Sequence, residues 1–122
     1  MAKRVLIADD EPNIVTSLEF LMEQAGFETK VATNGQEALD LAASFNPDLV
    51  LLDLMFPVKS GYEVCQQLKN EPTTRNIKVV VLSAKGRDVE VAKARELGAD
   101  AFITKPFSTR ELVAKVRELL GA

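Results

Sequence analysis

The stretch Val50-Leu51-Leu52-Asp53-Leu54-Met55-Phe56-Pro57 decides the fold. A continuous apolar run ends in a carboxylate, and turn chemistry follows at Pro57 and Gly61. Strands buried on both faces of a parallel sheet read as such runs rather than as alternating patterns. The residue where the run stops lies at the strand's carboxyl end, the edge at which open α/β sheets bind ligands. Alone, Asp53 reads more readily as a helix cap or a turn aspartate than as a site residue. The other strands decide between these readings.

Outward from that stretch the pattern repeats. Val5-Leu6-Ile7-Ala8 runs into Asp9-Asp10-Glu11, Val79-Val80-Val81-Leu82 into Ser83-Ala84, and Ala101 to Thr104 into Lys105-Pro106-Phe107. The third strand is read as Asp48 to Asp53, and Glu28 to Thr33 as a shorter, more polar edge strand. Between them lie five helical repeats. The first begins at Pro12, with Ile14, Leu18, Leu21, Met22 and Ala25 at helical spacing, and stops at Gly26. The second follows the Asn34-Gly35 turn, with Ala38, Leu41, Ala42 and Phe45 on one face, and closes at Asn46-Pro47. The third carries Val64, Cys65 and Leu68 inward. The fourth, about Asp88 to Leu97, has the least regular apolar face and ends at Gly98. The fifth starts at Ser108, with Glu111 completing a capping box, and continues through Leu112, Val113, Val116, Leu119 and Leu120. Five strands alternating with five helices predict a parallel sheet covered on both faces.

The 122 residues fit one domain over 1–122, without linker, repeat or low-complexity segment. A net charge of −3 disfavours a general nucleic-acid binder. No apolar run reaches the ~18 residues of a membrane span, and the start, Met1-Ala2-Lys3-Arg4, lacks a signal-peptide pattern. Cys65 is the only cysteine, so an internal disulfide is excluded, in keeping with a cytoplasmic location. With no histidine in the chain, histidine metal sites and Ser-His-Asp catalysis are excluded.

In a parallel sheet the strand ends share one edge, so Asp9, Asp10, Asp53, Ser83 and Lys105 converge. Three neighbouring carboxylates repel and call for a cation. Oxygen ligands without histidine or cysteine favour Mg²⁺ over Zn²⁺. A lysine and a hydroxyl aimed at the same point suit an anionic group. Together they make a place where Asp53, as nucleophile, receives a phosphoryl group.

Asp9-Asp10, Asp53 with Pro57 and Gly61, Ser83-Ala84 and Lys105-Pro106 resemble the receiver domain of two-component response regulators, in order and spacing over nearly the whole chain. The resemblance implies a flavodoxin-like fold with strand order 2-1-3-4-5. It implies a phospho-acceptor signalling domain rather than an enzyme, in which Asp53 takes a phosphoryl group from the phosphohistidine of a histidine kinase. It implies that Asp10 and Asp53 bind Mg²⁺ directly, Asp9 mainly through water, with the Met55 backbone carbonyl as a further ligand. Ser83 and Lys105 would hold phosphoryl oxygens, and the Lys105–Pro106 bond would be cis. The family couples Ser83 to an aromatic residue at position 102. Many members have tyrosine there; Phe102 has no hydroxyl, so a switch here rests on ring packing. Met55 and Lys85 occupy variable positions that tune phosphoryl lifetime.

The output surface so implied comprises the fourth helix, fifth strand and fifth helix, serving a partner, an effector or a homodimer, with no direct contact to nucleic acid or membrane. Arg95, Glu96, Asp100, Glu111, Lys115 and Arg117 form mixed charges around the last two helices, which read equally as a solvated face or as a partner or dimer surface. An aspartyl-nucleophile phosphatase is the weaker alternative, because Met55 stands where such enzymes carry a second acid. A flavin or nucleotide binder lacks its glycine motif, since no G-x-G or P-loop occurs. A degenerate receiver serving only as an interaction module sits poorly with the intact acid, hydroxyl and lysine set.

Overall fold

Short apolar runs joined by amphipathic repeats have one economical arrangement, a central sheet with helices packed on each side. The structure is a computed structural model and describes residues 3–54, 60–84 and 88–121. In chain order the elements are β1 (Arg4–Ala8), α1 (Pro12–Gln24), β2 (Glu28–Ala32), α2 (Gly35–Ser44), β3 (Leu49–Asp53), α3 (Gly61–Asn70), β4 (Lys78–Ala84), α4 (Asp88–Glu96), β5 (Ala101–Lys105) and α5 (Thr109–Leu120). The strands form one parallel sheet in the order β2-β1-β3-β4-β5. This is the flavodoxin-like order, and polar β2 is indeed an edge.

Side-chain alternation divides the interior into two layers. Val5, Ile7, Leu49, Leu51, Val80, Leu82 and Ile103 face α1 and α5, meeting Leu18, Met22, Leu112 and Val116. Leu6, Ala8, Val50, Leu52, Val79 and Val81 face α2, α3 and α4, meeting Ala38, Ala42, Val64, Cys65, Leu68 and Ala94. Every residue of β3 is buried, and each large apolar side chain so placed contributes on the order of 1.5–3 kcal/mol. That burial fixes β3 as the rigid support beneath Asp53.

The strand begins at Leu49 rather than Asp48, because Asp48 serves as a connector. Its carboxylate accepts the Arg4 N–H at 2.8 Å, its own N–H donates to Arg4 O at 2.7 Å, and its carbonyl accepts from Lys78 at 3.1 Å. Helices α2, α3 and α5 each open on a capping side chain. Asn34, Ser60 and Ser108 accept from the backbone N–H of Glu37, Glu63 and Glu111.

At the amino ends of β4 and β5, Lys69 joins three segments. Its ammonium donates to Ile77 O and Asp100 Oδ2, both at 2.8 Å, and to Arg75 O at 3.3 Å. Asp100 Oδ2 also accepts the Val79 N–H at 2.8 Å. Asp100, read from sequence as part of a charged surface, is thus committed to an internal staple. Nearby, Cys65 Sγ lies 3.9 Å from Leu97 O. Burial pushes the Cys65 thiol up to about 11, opposed by Lys69 and reinforced by Asp100.

Candidate functional site: an acidic cluster at the carboxyl edge

The site is assembled by strand ends. Asp9 and Asp10 follow β1, Asp53 closes β3 and Lys105 closes β5. Asp9, Asp10 and Asp53 each offer a carboxylate oxygen, all within 4.8 Å of one another. Asp9 is fully buried, Asp53 nearly so, and Asp10 exposed. The Lys105 ammonium donates to Asp9 Oδ2 at 3.0 Å and lies 3.9 Å from Asp53 Oδ1. This follows from the pleat. Asp53 continues the Leu49–Leu51 face and Lys105 the Ile103 face, so both belong to the α1/α5 side.

Asp9 has both oxygens engaged by protein. Its Oδ1 accepts the Glu11 N–H at 3.0 Å while Oδ2 holds Lys105. Glu11 also approaches Lys105, at 3.8 Å. Its side chain is 63% exposed, so this pair is weak. The Lys105–Pro106 peptide bond is cis. Beside it a groove of about 280 Å³ is lined by Ile14, Ser17, Lys105, Pro106, Phe107 and Thr109.

Gly61 sets how closely α3 approaches β3. A Cβ there would meet Asp53 O at 2.5 Å and Leu54 Cα at 2.6 Å, both backbone atoms. Its N–H donates to Leu54 O at 3.1 Å. Sequence reading places Gly61 only in a turn; that it makes room for the backbone behind Asp53 needs the tertiary structure.

Ser83 is buried on the same edge but, by alternation from Val79 and Val81, on the α3/α4 side of the sheet. It lies opposite Thr104, while Phe102 lies opposite Val81. Phe102 is half-buried on that same side, and the Arg95 guanidinium stands 5.0 Å from its ring centroid. The expectations for Met55 and Lys85 lie outside the described residues.

The donor set fits a magnesium ion. Three carboxylates with one lysine in direct contact leave excess negative charge, and an all-oxygen set suits a hard divalent cation. No helix among the described residues is long and apolar enough to cross a membrane.

The family model for the response regulator receiver domain matches residues 5–117. The chain belongs to this family. The receiver is similar to a protein described as a response regulator from Chloroflexus aurantiacus, at 30% identity over 100% of both chains with a TM-score of 0.95. It is also similar to the receiver domain of a signal transduction histidine kinase from Syntrophus aciditrophicus, at 35% identity, 98% of this chain, 91% of that one and a TM-score of 0.91. A Francisella response regulator receiver domain matches at 33% identity, 96% and 95% coverage and a TM-score of 0.87. The receiver is therefore a two-component signalling domain.

Proposed function

We propose that this receiver accepts a phosphoryl group on Asp53 from the phosphohistidine of a histidine kinase, and that the modified domain signals through α4, β5 and α5. The observation that carries this is the nearly buried Asp53 carboxylate, clustered with Asp9 and Asp10 and 3.9 Å from the Lys105 ammonium.

Asp10 and Asp53 would hold Mg²⁺ directly. Asp9, whose oxygens already hold Glu11 and Lys105, acts at one remove. The Met55 carbonyl is proposed as a further ligand on the family pattern. Bound there, the ion supplies charge neutralisation for the incoming phosphoryl oxygens.

An Asp53 carboxylate oxygen attacks phosphorus, the phosphorus–nitrogen bond to the donor imidazole breaks, and an acyl phosphate forms. The imidazole nitrogen keeps the bonding pair and takes a proton from water. Lys105 stabilises the charge on the phosphoryl oxygens, and the Ser83 hydroxyl donates to one of them. Little covalent help is needed, so fixed position is the main contribution of these side chains. Phe102 responds on the α3/α4 side by repacking its ring.

The test is intact-mass spectrometry after incubation with phosphoramidate or acetyl phosphate. One added phosphoryl group is expected with Mg²⁺. Chelation should abolish it, Asp53→Asn should abolish it, and Lys105→Met should slow it strongly. Unchanged labelling of Asp53→Asn refutes the assignment, and sustained phosphate release from many esters points to the phosphatase alternative.

A further inference from the structure

The helix with the least apolar anchorage is held by cations. Only Ala94 of α4 is buried, and Val89 is 83% exposed. Two basic side chains of this helix stack on rings of neighbouring elements. Lys93 Nζ lies 4.5 Å from the centroid of Tyr62 on α3, and Arg95 stands over Phe102 on β5. The two contacts tie α4 to both flanking elements, where the sequence supplies little apolar side chain to do so.

We infer that Lys93 and Arg95 are ring-stacked latches that hold α4 and Phe102 in the resting arrangement and thereby set the threshold for switching. The inference rests on the reading of Asp53 as phospho-acceptor. β4 carries Ser83 on the sheet side that Phe102 occupies and leads into α4, so a group drawing on Ser83 acts where the ring and helix meet. Repacking Phe102 breaks its stack with Arg95, and moving α4 breaks the stack of Lys93 on Tyr62. Each contact therefore favours the resting state. At exposed sites a cation over a ring biases an equilibrium by about two- to fivefold. Arginine lies flat on the ring and lysine approaches as a point charge, so the two are separable.

The chain has one tyrosine and no tryptophan, so intrinsic fluorescence reports on Tyr62 alone. The experiment titrates the 122-residue chain, in excess Mg²⁺, with beryllofluoride, which adds to a carboxylate as a phosphoryl stand-in. Fluorescence is followed together with amide exchange of α4. Arg95→Met and Lys93→Met each should lower the beryllofluoride midpoint two- to fivefold and speed α4 exchange before any addition. Arg95→Lys should fall between Arg95→Met and the parent.

Loss of a positive charge by itself weakens anion binding and moves the midpoint the other way, and Lys115→Met on α5 measures that effect. Midpoints for Arg95→Met and Lys93→Met that match Lys115→Met overturn the latches while leaving Asp53 as acceptor. A parent chain showing no response to beryllofluoride overturns the acceptor reading itself. Melting curves that match the parent establish that the variants fold.

Discussion

At Gly61 the backbone of α3 comes so close to Asp53 and Leu54 that a methyl group has nowhere to go. Both obstructing atoms are backbone, so relief requires moving the helix or the strand end. Gly61→Ala is expected to cost about 2–3 kcal/mol, as overpacking does elsewhere, and to slow phosphoryl acceptance by shifting Asp53. Urea denaturation and the labelling rate check the two effects. Cys65 makes a second residue-scale prediction. Its thiol is held near 11 in the fold against an ordinary value of 9.0. Because the folded value is raised, the stabilisation is fully present below pH 9 and is lost as pH climbs towards 11. The stability difference between the parent and Cys65→Ala should shrink by about 2 kcal/mol across that window, measured by urea denaturation at each pH. Sequence identified Cys65 as an inward residue of α3. It could not show that Asp100 and Leu97 join Lys69, four residues further along α3, around it, because those two come from other segments.

Among the elements, α4 differs from its neighbours in having a single buried side chain. Its amides are expected to exchange at least about tenfold faster than those of α1, α3 and α5, as read by hydrogen exchange with mass spectrometry. The irregular apolar face already visible in residues 88–97 pointed to this; the aromatic contacts of Lys93 and Arg95 did not show in the sequence. The helix starts give a converse case. Asn34, Ser60 and Ser108 all precede a glutamate by three positions, yet only Ser108 is recognised from sequence, where a strong apolar repeat follows at once. Ser60→Ala should cost about 1 kcal/mol, checked by thermal denaturation. Most of the strand assignment was legible because burial on both faces leaves long apolar runs. Asp48 was misplaced in β3 because its bonds to Arg4 and Lys78 depend on neighbouring strands.

For the whole molecule, charge at the carboxyl edge is only partly balanced. Adding Mg²⁺ at ten times its dissociation constant should stabilise the fold by about 1.4 kcal/mol. Calorimetry should show the rise in melting temperature, and Asp10→Asn should remove most of it. The convergence of Asp9, Asp10, Asp53 and Lys105 could be foreseen because a parallel sheet puts strand ends together. That Ser83 belongs to the other side of the sheet from Asp53 and Lys105 required the observed alternation. The staple around Lys69 has a mechanical corollary. It fixes the turn before β5, where a Cβ on Gly98 would meet the Lys69 stem at 3.0 Å, and Cys65 sits against Leu97. The foot of α4 is thereby clamped, while its head adjoins the rim that carries the acids. Nine residues make a lever of roughly 13 Å. Any tilt pivots at the foot, and Val89, the most outward apolar side chain near the head, sweeps the widest arc.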